Sequence, residues 1–449
     1  MPPASARSVA PRWLDRLGLG RPELRAWALY DVANSAAVTS IVTAVFPIYF
    51  ASVAAAGLPP VQATQLLART NTVALAIVAM LAPVLGSLVD VRPWKKRILA
   101  AFVALGAASS AALFLVGRGD VTLALVIFVL MGIGLNGSFV AYDALLPHVA
   151  RPSELDRVSA AGYALGYLGG GILLAAQLAV ILEPGLVGLA SSDPTLPSRI
   201  AFLSVAAWWT LFTLPLLRRV PEPPVERPRT APPTLRSFAW EPFARAARTF
   251  ASLARHRNAL RMLLAFLLYN DGIGTIIRMA AIYGTEIGLG RGTLIGAILL
   301  VQFLGIPFAF LFGALGSRVG AKPLLLAGLG VYTLIAVLAY GTRTATHFWI
   351  LAAMVAVVQG GCQALSRSLF ASLVPRHVSG EFFGFYAVSE KFAGIFGPLL
   401  FALAAQLTGS SRAAILSVVV FFVAGAVLLA QVDVAAGQRE AREAEDAGR

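Results

Sequence analysis

Charge is scarce in this chain. Asp, Glu, Lys and Arg make up 13% of its 449 residues, against 58% hydrophobic residues. Soluble globular domains carry about a quarter of their residues as charges, so a soluble fold is excluded at the outset. Cysteine is scarcer still: Cys362 stands alone, which rules out an intrachain disulfide. The four histidines, His148, His256, His347 and His377, show no metal-ligand spacing. No phosphate-cradling G-x-x-x-x-G-K-S/T loop is present, so direct use of ATP is not expected. Neither a cofactor nor a metal is implied, and the chain is not expected to be an enzyme.

Apolar runs are what the chain has in quantity. Twelve are long enough to cross the ~30 Å hydrocarbon core of a bilayer as helices. They cover roughly residues 26–51, 64–89, 97–117, 121–147, 158–182, 199–217, 259–285, 293–316, 322–341, 346–372, 381–407 and 412–433. The net charge of +14 would point to nucleic acid in a soluble chain, but its placement does not. Basic residues crowd alternate connections, at Arg7 to Arg25, Arg92 to Arg97, Arg151 with Arg157, Arg218 to Arg261, Arg318 with Lys322, and Arg376. The opposite connections hold isolated ones, Arg118, Arg291, Arg343 and Arg412. This alternation is the positive-inside pattern and predicts both termini on the cytoplasmic side of a bacterial cytoplasmic membrane. The residues before Trp27 lack a short apolar core with a cleavage site and read as a cytoplasmic tail.

Weak internal similarity divides the chain. A shift of 228 residues carries Pro147 to Pro375, Gly166 to Gly394 and Gly169 to Gly397; a shift of 227 carries Gly86-Ser87-Leu88 to Gly313-Ala314-Leu315. Leu29-Tyr30-Asp31 echoes Leu268-Tyr269-Asn270-Asp271. The expected organisation is a cytoplasmic tail (1–25), a six-helix half (26–217), a basic, proline-rich cytoplasmic linker (218–258), a second six-helix half (259–433) and a C-terminal tail (434–449). Phe243, Ala247, Phe250 and Ala254, with arginines between, could make part of the linker an amphipathic helix. One chain supplies both halves, so function as a monomer is expected.

Two segments carry a family resemblance. Gly86-Ser87-Leu88-Val89-Asp90, followed by Arg92, Lys95, Lys96 and Arg97, joins the second and third spans. It resembles the signature loop of the major facilitator superfamily, with Val91 and Pro93 where that loop has arginine and glycine. The second copy, Gly313 to Lys322, keeps Arg318 and Gly320 but has Ser317 in place of the aspartate. Trp27-Ala28-Leu29-Tyr30-Asp31-Val32-Ala33-Asn34-Ser35 and the later Thr43 to Phe50 resemble the opening of the superfamily's vacuolar amino-acid effluxer-like branch. The resemblance implies an all-α integral membrane fold of twelve transmembrane helices in two pseudo-symmetric six-helix halves. It implies solute transport and, more weakly, amino-acid export. It also implies that the first, fourth, seventh and tenth helices line a central cavity. Gly162 to Gly171 is similar to a glycine-rich antiporter motif, but Tyr167 replaces its proline, so close helix packing is the better reading there.

Polar residues inside spans name the candidate sites, because such groups are costly in a bilayer unless they face a bundle interior or a partner. Asp31, Ser35, Thr39 and Thr43 recur every four residues; Asp271, Thr275 and Arg278 share a helical face, as do Gln359, Gln363, Ser366 and Arg367. Depth separates them. Asp271 lies about 15–18 Å into its span, near the midplane, with Glu390 and Lys391 similarly deep, whereas Asp31 (~6 Å past Trp27) and Asp143 are shallow. Expected solute- or proton-binding residues are therefore Asn34, Thr39, Asn136, Asp271, Arg278, Gln359, Gln363, Glu390 and Lys391. Expected gate residues are Asp31, Gly86, Asp90, Arg92, Asp143 and Arg318, with Asp90 free to hold a cation or a helix N-terminus. Adjacent Glu390 and Lys391 point about 100° apart and need not pair. The expected activity is secondary transport of a small polar solute by alternating access, coupled to protons. Amino-acid export is the first substrate reading, and drug or sugar export the alternative. A membrane enzyme or a non-transporting membrane protein fits less well.

Overall fold

The computed structural model describes residues 11–91, 93–188, 193–224, 253, 256–286, 288–392 and 396–448. Arg92, Gly394, Ile395 and most of the 218–258 linker, including its amphipathic stretch apart from Leu253, lie outside them. Among the described residues, twelve helices are long and apolar enough to cross a membrane. In chain order they are Pro22–Ala54, Gln62–Asp90, Lys95–Leu115, Val121–Val149, Leu155–Leu182, Leu196–Arg219, Arg257–Arg278, Gly292–Val319, Ala321–Tyr340, Ala345–Ser372, Arg376–Thr408 and Ala413–Ala430. Several begin a turn earlier than hydropathy alone places them. The first starts at Pro22, whose missing N–H costs nothing in a first turn, directly after extended Arg21.

The first span is not a uniform α-helix. It winds as α over Pro22–Ala36, widens into π geometry over Ala37–Ala44, and repeats the alternation with Val45–Tyr49 and Phe50–Ala54. Pro47 lies in its interior and cannot donate to the preceding turn; wide turns are one way to absorb such a gap. The wider turn also rotates the polar stripe out of line. Thr39 is buried, while Thr43 is exposed and donates to the Val38 carbonyl at 2.8 Å, five residues back.

Small residues let the helices approach closely. The first span packs on the fifth and sixth, and the third on the fourth. Between the halves, the second span packs on the eleventh, and the fifth on the eighth and tenth. Aromatic stacks fill each half: Trp27 on Tyr142 (4.5 Å) and Phe46 on Phe128 (4.9 Å) in the first, Phe266 on Tyr386 (4.2 Å) and Tyr332 on Phe422 (5.3 Å) in the second. The basic connections gather at one end of the bundle, called the basic end below. There Arg21 donates to Glu154 and to the Val149 carbonyl, Lys322 to the Ala430 and Val432 carbonyls, and the Arg376 amide to Glu445 of the C-terminal helix. At the other end, Tyr49 donates to the Val116 carbonyl and Arg199 to that of Phe114.

Candidate functional site

Arg367, on the tenth span, is the centre of the largest buried polar cluster described. It is 2% exposed, and the aspartates on either side of it, Asp31 and Asp143, are 5% and 7% exposed. One guanidinium arm donates to Asp31 at 3.2 Å and the other to Asp143 at 3.2 Å. Nε donates to Ser159 Oγ at 2.9 Å and Nη2 to the Ser159 carbonyl at 3.1 Å. The fork of donors on arginine suits such a divided set of acceptors; an ammonium would not reach them all. The rings of Tyr163, Trp27 and Tyr142 lie 4.6, 4.8 and 5.5 Å from the guanidinium carbon, within cation–π range. Asp31 is held from within its own half as well: Tyr142 donates to Oδ2 at 2.8 Å and Asn34 to Oδ1 at 3.3 Å. Gly162 leaves room for this arrangement. A Cβ there would collide with Asp31 Oδ2 and sit 3.1 Å from Arg367 Nη2. Gly162→Ala is therefore expected to lower stability by about 1–3 kcal/mol in detergent unfolding. Gly330→Ala, where nothing lies within 4 Å of an added Cβ, should leave it unchanged or raised.

A second contact between the halves lies beside the first. Asp90, 6% exposed, pairs with buried Lys95 and accepts the Glu381 backbone N–H at 2.8 Å. Glu381 is in the first turn of helix Ser379–Phe392, where backbone amides have no partner within the helix and negative charge is favoured. Gly86 makes this possible, since a side chain there would strike the Gly380 carbonyl. The repeat supplies a related contact at the other seam. Gly313 faces Ala160 closely, Ser317 accepts from Arg157 Nε at 2.8 Å, and Ser368 donates to Asp156. His148 Nε2 and the Ala144 carbonyl both meet Ser379 Oγ, at 3.1 and 3.0 Å. Among the described residues, these polar contacts between the halves cluster toward the basic end.

The deeper candidates are placed differently. Asp271 is 1% exposed and accepts the Gly397 backbone N–H at 2.8 Å through Oδ2, and Oδ1 has no hydrogen-bond partner among the described residues. Thr275 donates to the Asp271 carbonyl at 2.7 Å, and Arg278 on the same face is exposed. Glu390 and Lys391 do pair, at 3.1 Å, because two long side chains span the angle between adjacent helical positions. Lys391 Nζ also lies 5.6 Å from the Phe139 ring. Asn136 and Thr39 are buried and spend donors on their own helices, Asn136 on the Gly132 carbonyl (2.7 Å) and Thr39 on that of Ser35 (2.8 Å). Gln359 and Gln363 are half-buried, and Arg318 is exposed at the basic end. The structure thus joins Asn34, Asp31 and Asp143 in one cluster and places Gly86 and Asp90 in a neighbouring one. It does not bring Asp271 to either.

Sequence reasoning noted Arg367 only as part of a stripe and overlooked Tyr142, Tyr163, Ser159 and Lys95 as partners. The available signal was a lone arginine deep in an apolar run, which demands an acceptor. Nothing local names that acceptor 336 residues away.

The family described as "Vacuole effluxer Atg22 like" matches residues 20–442. The uncharacterized MFS-type transporter YxiO of Bacillus subtilis (strain 168) is 39% identical over 413 residues, 90% of this chain and 94% of that protein. Autophagy-related protein 22-1 of Phaeosphaeria nodorum is 26% identical over 440 residues, 84% of this chain and 77% of that one. The crystal structure of the human organic anion transporter MFSD10 (TETRAN) shares the fold, with a TM-score of 0.69 at 15% identity over 91% of this chain and 99% of that chain.

Proposed function

This chain belongs to the Atg22-like family of major facilitator superfamily transporters, and from that premise we propose that it exports a small polar solute of the amino-acid class by proton-coupled alternating access. The observation that carries this reading is the Arg367 cluster, in which a cation of one half is bound entirely by groups of the other. Such a contact closes one end of the bundle and must come apart for that end to open. The positive-inside pattern makes the basic end cytoplasmic. Asp31, Asp143, Gly86 and Asp90, with Arg367 added, then form the cytoplasmic gate. Arg318 belongs to the same gate, and so does Arg92, although it lies outside the described residues.

Asp271, Arg278, Glu390 and Lys391, with Asn34, Thr39, Asn136, Gln359 and Gln363, form the solute- and proton-binding set. Among the described residues Oδ1 of Asp271 has no hydrogen-bond partner, which supports a proton role, because a buried carboxylate oxygen without a donor is relieved by a proton. In proteoliposomes, Asp271→Asn and Glu390→Gln are each expected to abolish pH-driven uptake while solute exchange at equal pH persists. If both variants keep pH-driven uptake at the wild-type rate, proton coupling through them is wrong. Thermal stabilisation of the purified protein across amino acids, peptides, sugars and drugs tests the substrate class. Stabilisation by sugars or drugs and by no amino acid would overturn that part.

A further inference from the structure

Among the described residues, the groups that hold Arg367 share one property: every one of them is on the first half. Asp31, Asp143, Ser159 and the rings of Trp27, Tyr142 and Tyr163 lie on the first, fourth and fifth spans, and the guanidinium arrives from the tenth. The receptor is also organised without its occupant. Tyr142 and Asn34 donate to Asp31, Trp27 stacks on Tyr142 and donates to its carbonyl at 3.2 Å, and Tyr30 donates to Ser138 beneath them at 2.6 Å. A pocket with aromatic faces, two carboxylates and a serine matches a planar or alkyl organic cation.

We propose that this pocket is a binding site for an organic cation, an amine or guanidine entering from the basic end, and that Arg367 is its tethered stand-in. The proposal rests on the alternating-access reading above. When the basic end opens, Arg367 leaves with the second half and two carboxylates remain in a half-apolar pocket. A cationic solute then replaces Arg367, and reclosure returns the arginine and expels the solute toward the rest of the cavity. The aromatic walls favour an organic cation over a proton, since a proton on either aspartate would make no use of them. Glu390 and Lys391 pair with each other nearby, so the lysine is not a free second counter-ion for the pocket.

The test uses purified full-length protein and agmatine, a guanidine without a carboxylate, with uncharged propylurea as control. Gly86→Trp places a bulky ring against the Gly380 carbonyl and should hold the basic end open. Agmatine is expected to bind this variant about tenfold or more tightly than wild type, the size of a cation–π plus charge-assisted contact. Adding Asp31→Asn with Asp143→Asn should remove the gain, and adding Asp120→Asn, an exposed aspartate at the other end of the bundle that accepts only the Gly117 amide among the described residues, should not. Arg367→Ala gives an independent arm, in which agmatine should raise the melting temperature and propylurea should not. Agmatine binding no better than propylurea in both variants overturns the proposal. So does proton uptake on opening with no agmatine binding, since the pocket would then be a proton site. Ser368→Cys in a Cys362→Ala background reports opening itself through maleimide labelling. Faster labelling in Gly86→Trp without agmatine binding defeats only this proposal. Labelling as slow as in the closed protein defeats alternating access at this end.

Discussion

Arg367→Ala is expected to cost about 3–5 kcal/mol of the closed structure's stability, because it removes one partner of a buried charge cluster and leaves the others. Asp31 and Asp143 would face each other across an emptied site with two negative charges and no cation within bonding distance. Ser159 and the three aromatic rings would lose their contacts as well. The expected outcomes are a lower midpoint in detergent unfolding and faster labelling of Ser368→Cys, since the halves lose their strongest polar tie. Arg367→Lys should fall between, as an ammonium cannot divide itself among both aspartates and the serine. The decisive comparison is Arg367→Met with Asp31→Asn and Asp143→Asn. Removing all the charges together avoids the uncompensated carboxylates, so most of the lost stability should return while transport stays absent. If Arg367→Ala unfolds and labels as wild type does, the cluster does not tie the halves together.

Asp90→Ala is the second large effect, expected to cost about 3 kcal/mol or more. It strands Lys95, which is 5% exposed and among the described residues keeps only the Val89 carbonyl at 3.0 Å, and it removes the acceptor of the Glu381 amide across the seam. Asp90→Asn separates the two roles. The amide side chain can still accept from Glu381 but no longer neutralises Lys95, so an intermediate loss is expected. Adding Lys95→Met to Asp90→Asn should recover stability, because the buried ammonium is then gone. Labelling of Ser368→Cys distinguishes a gate from mere support. A gate role requires Asp90→Asn to raise the labelling rate even after Lys95→Met has restored the unfolding midpoint; no change in that rate would leave Asp90 as a structural cap.

The two clusters also show how far local pattern reaches. Asp31, Asp143 and Asp90 stand out because a carboxylate in or at the end of an apolar helix is costly; shallow depth separates Asp31 and Asp143 from Asp271, and the signature-loop pattern marks Asp90. The four-residue stripe from Asp31 to Thr43 was legible as a stripe but not as a face. It presumes 3.6 residues per turn, and the π segment at Ala37–Ala44 abandons that geometry. Glu390 and Lys391 failed in the opposite sense. Backbone angles place them apart, and the length of their side chains brings them together.

The number of spans, the basic end, the repeated Gly86 and Gly313 segments and the membership they carry belong to the sequence alone. Hydropathy, charge alternation and close-approach glycines act within a turn or a loop, so they survive without knowledge of neighbours. Which cation meets which carboxylate belongs to the tertiary structure. Arg367 lies 336 residues from Asp31 and 224 from Asp143, and only the packing of the fifth span between the first and the tenth brings them within bonding distance. A buried charge dictates that it must have a partner; the stacking of helices through small residues such as Gly162 decides which partner it has.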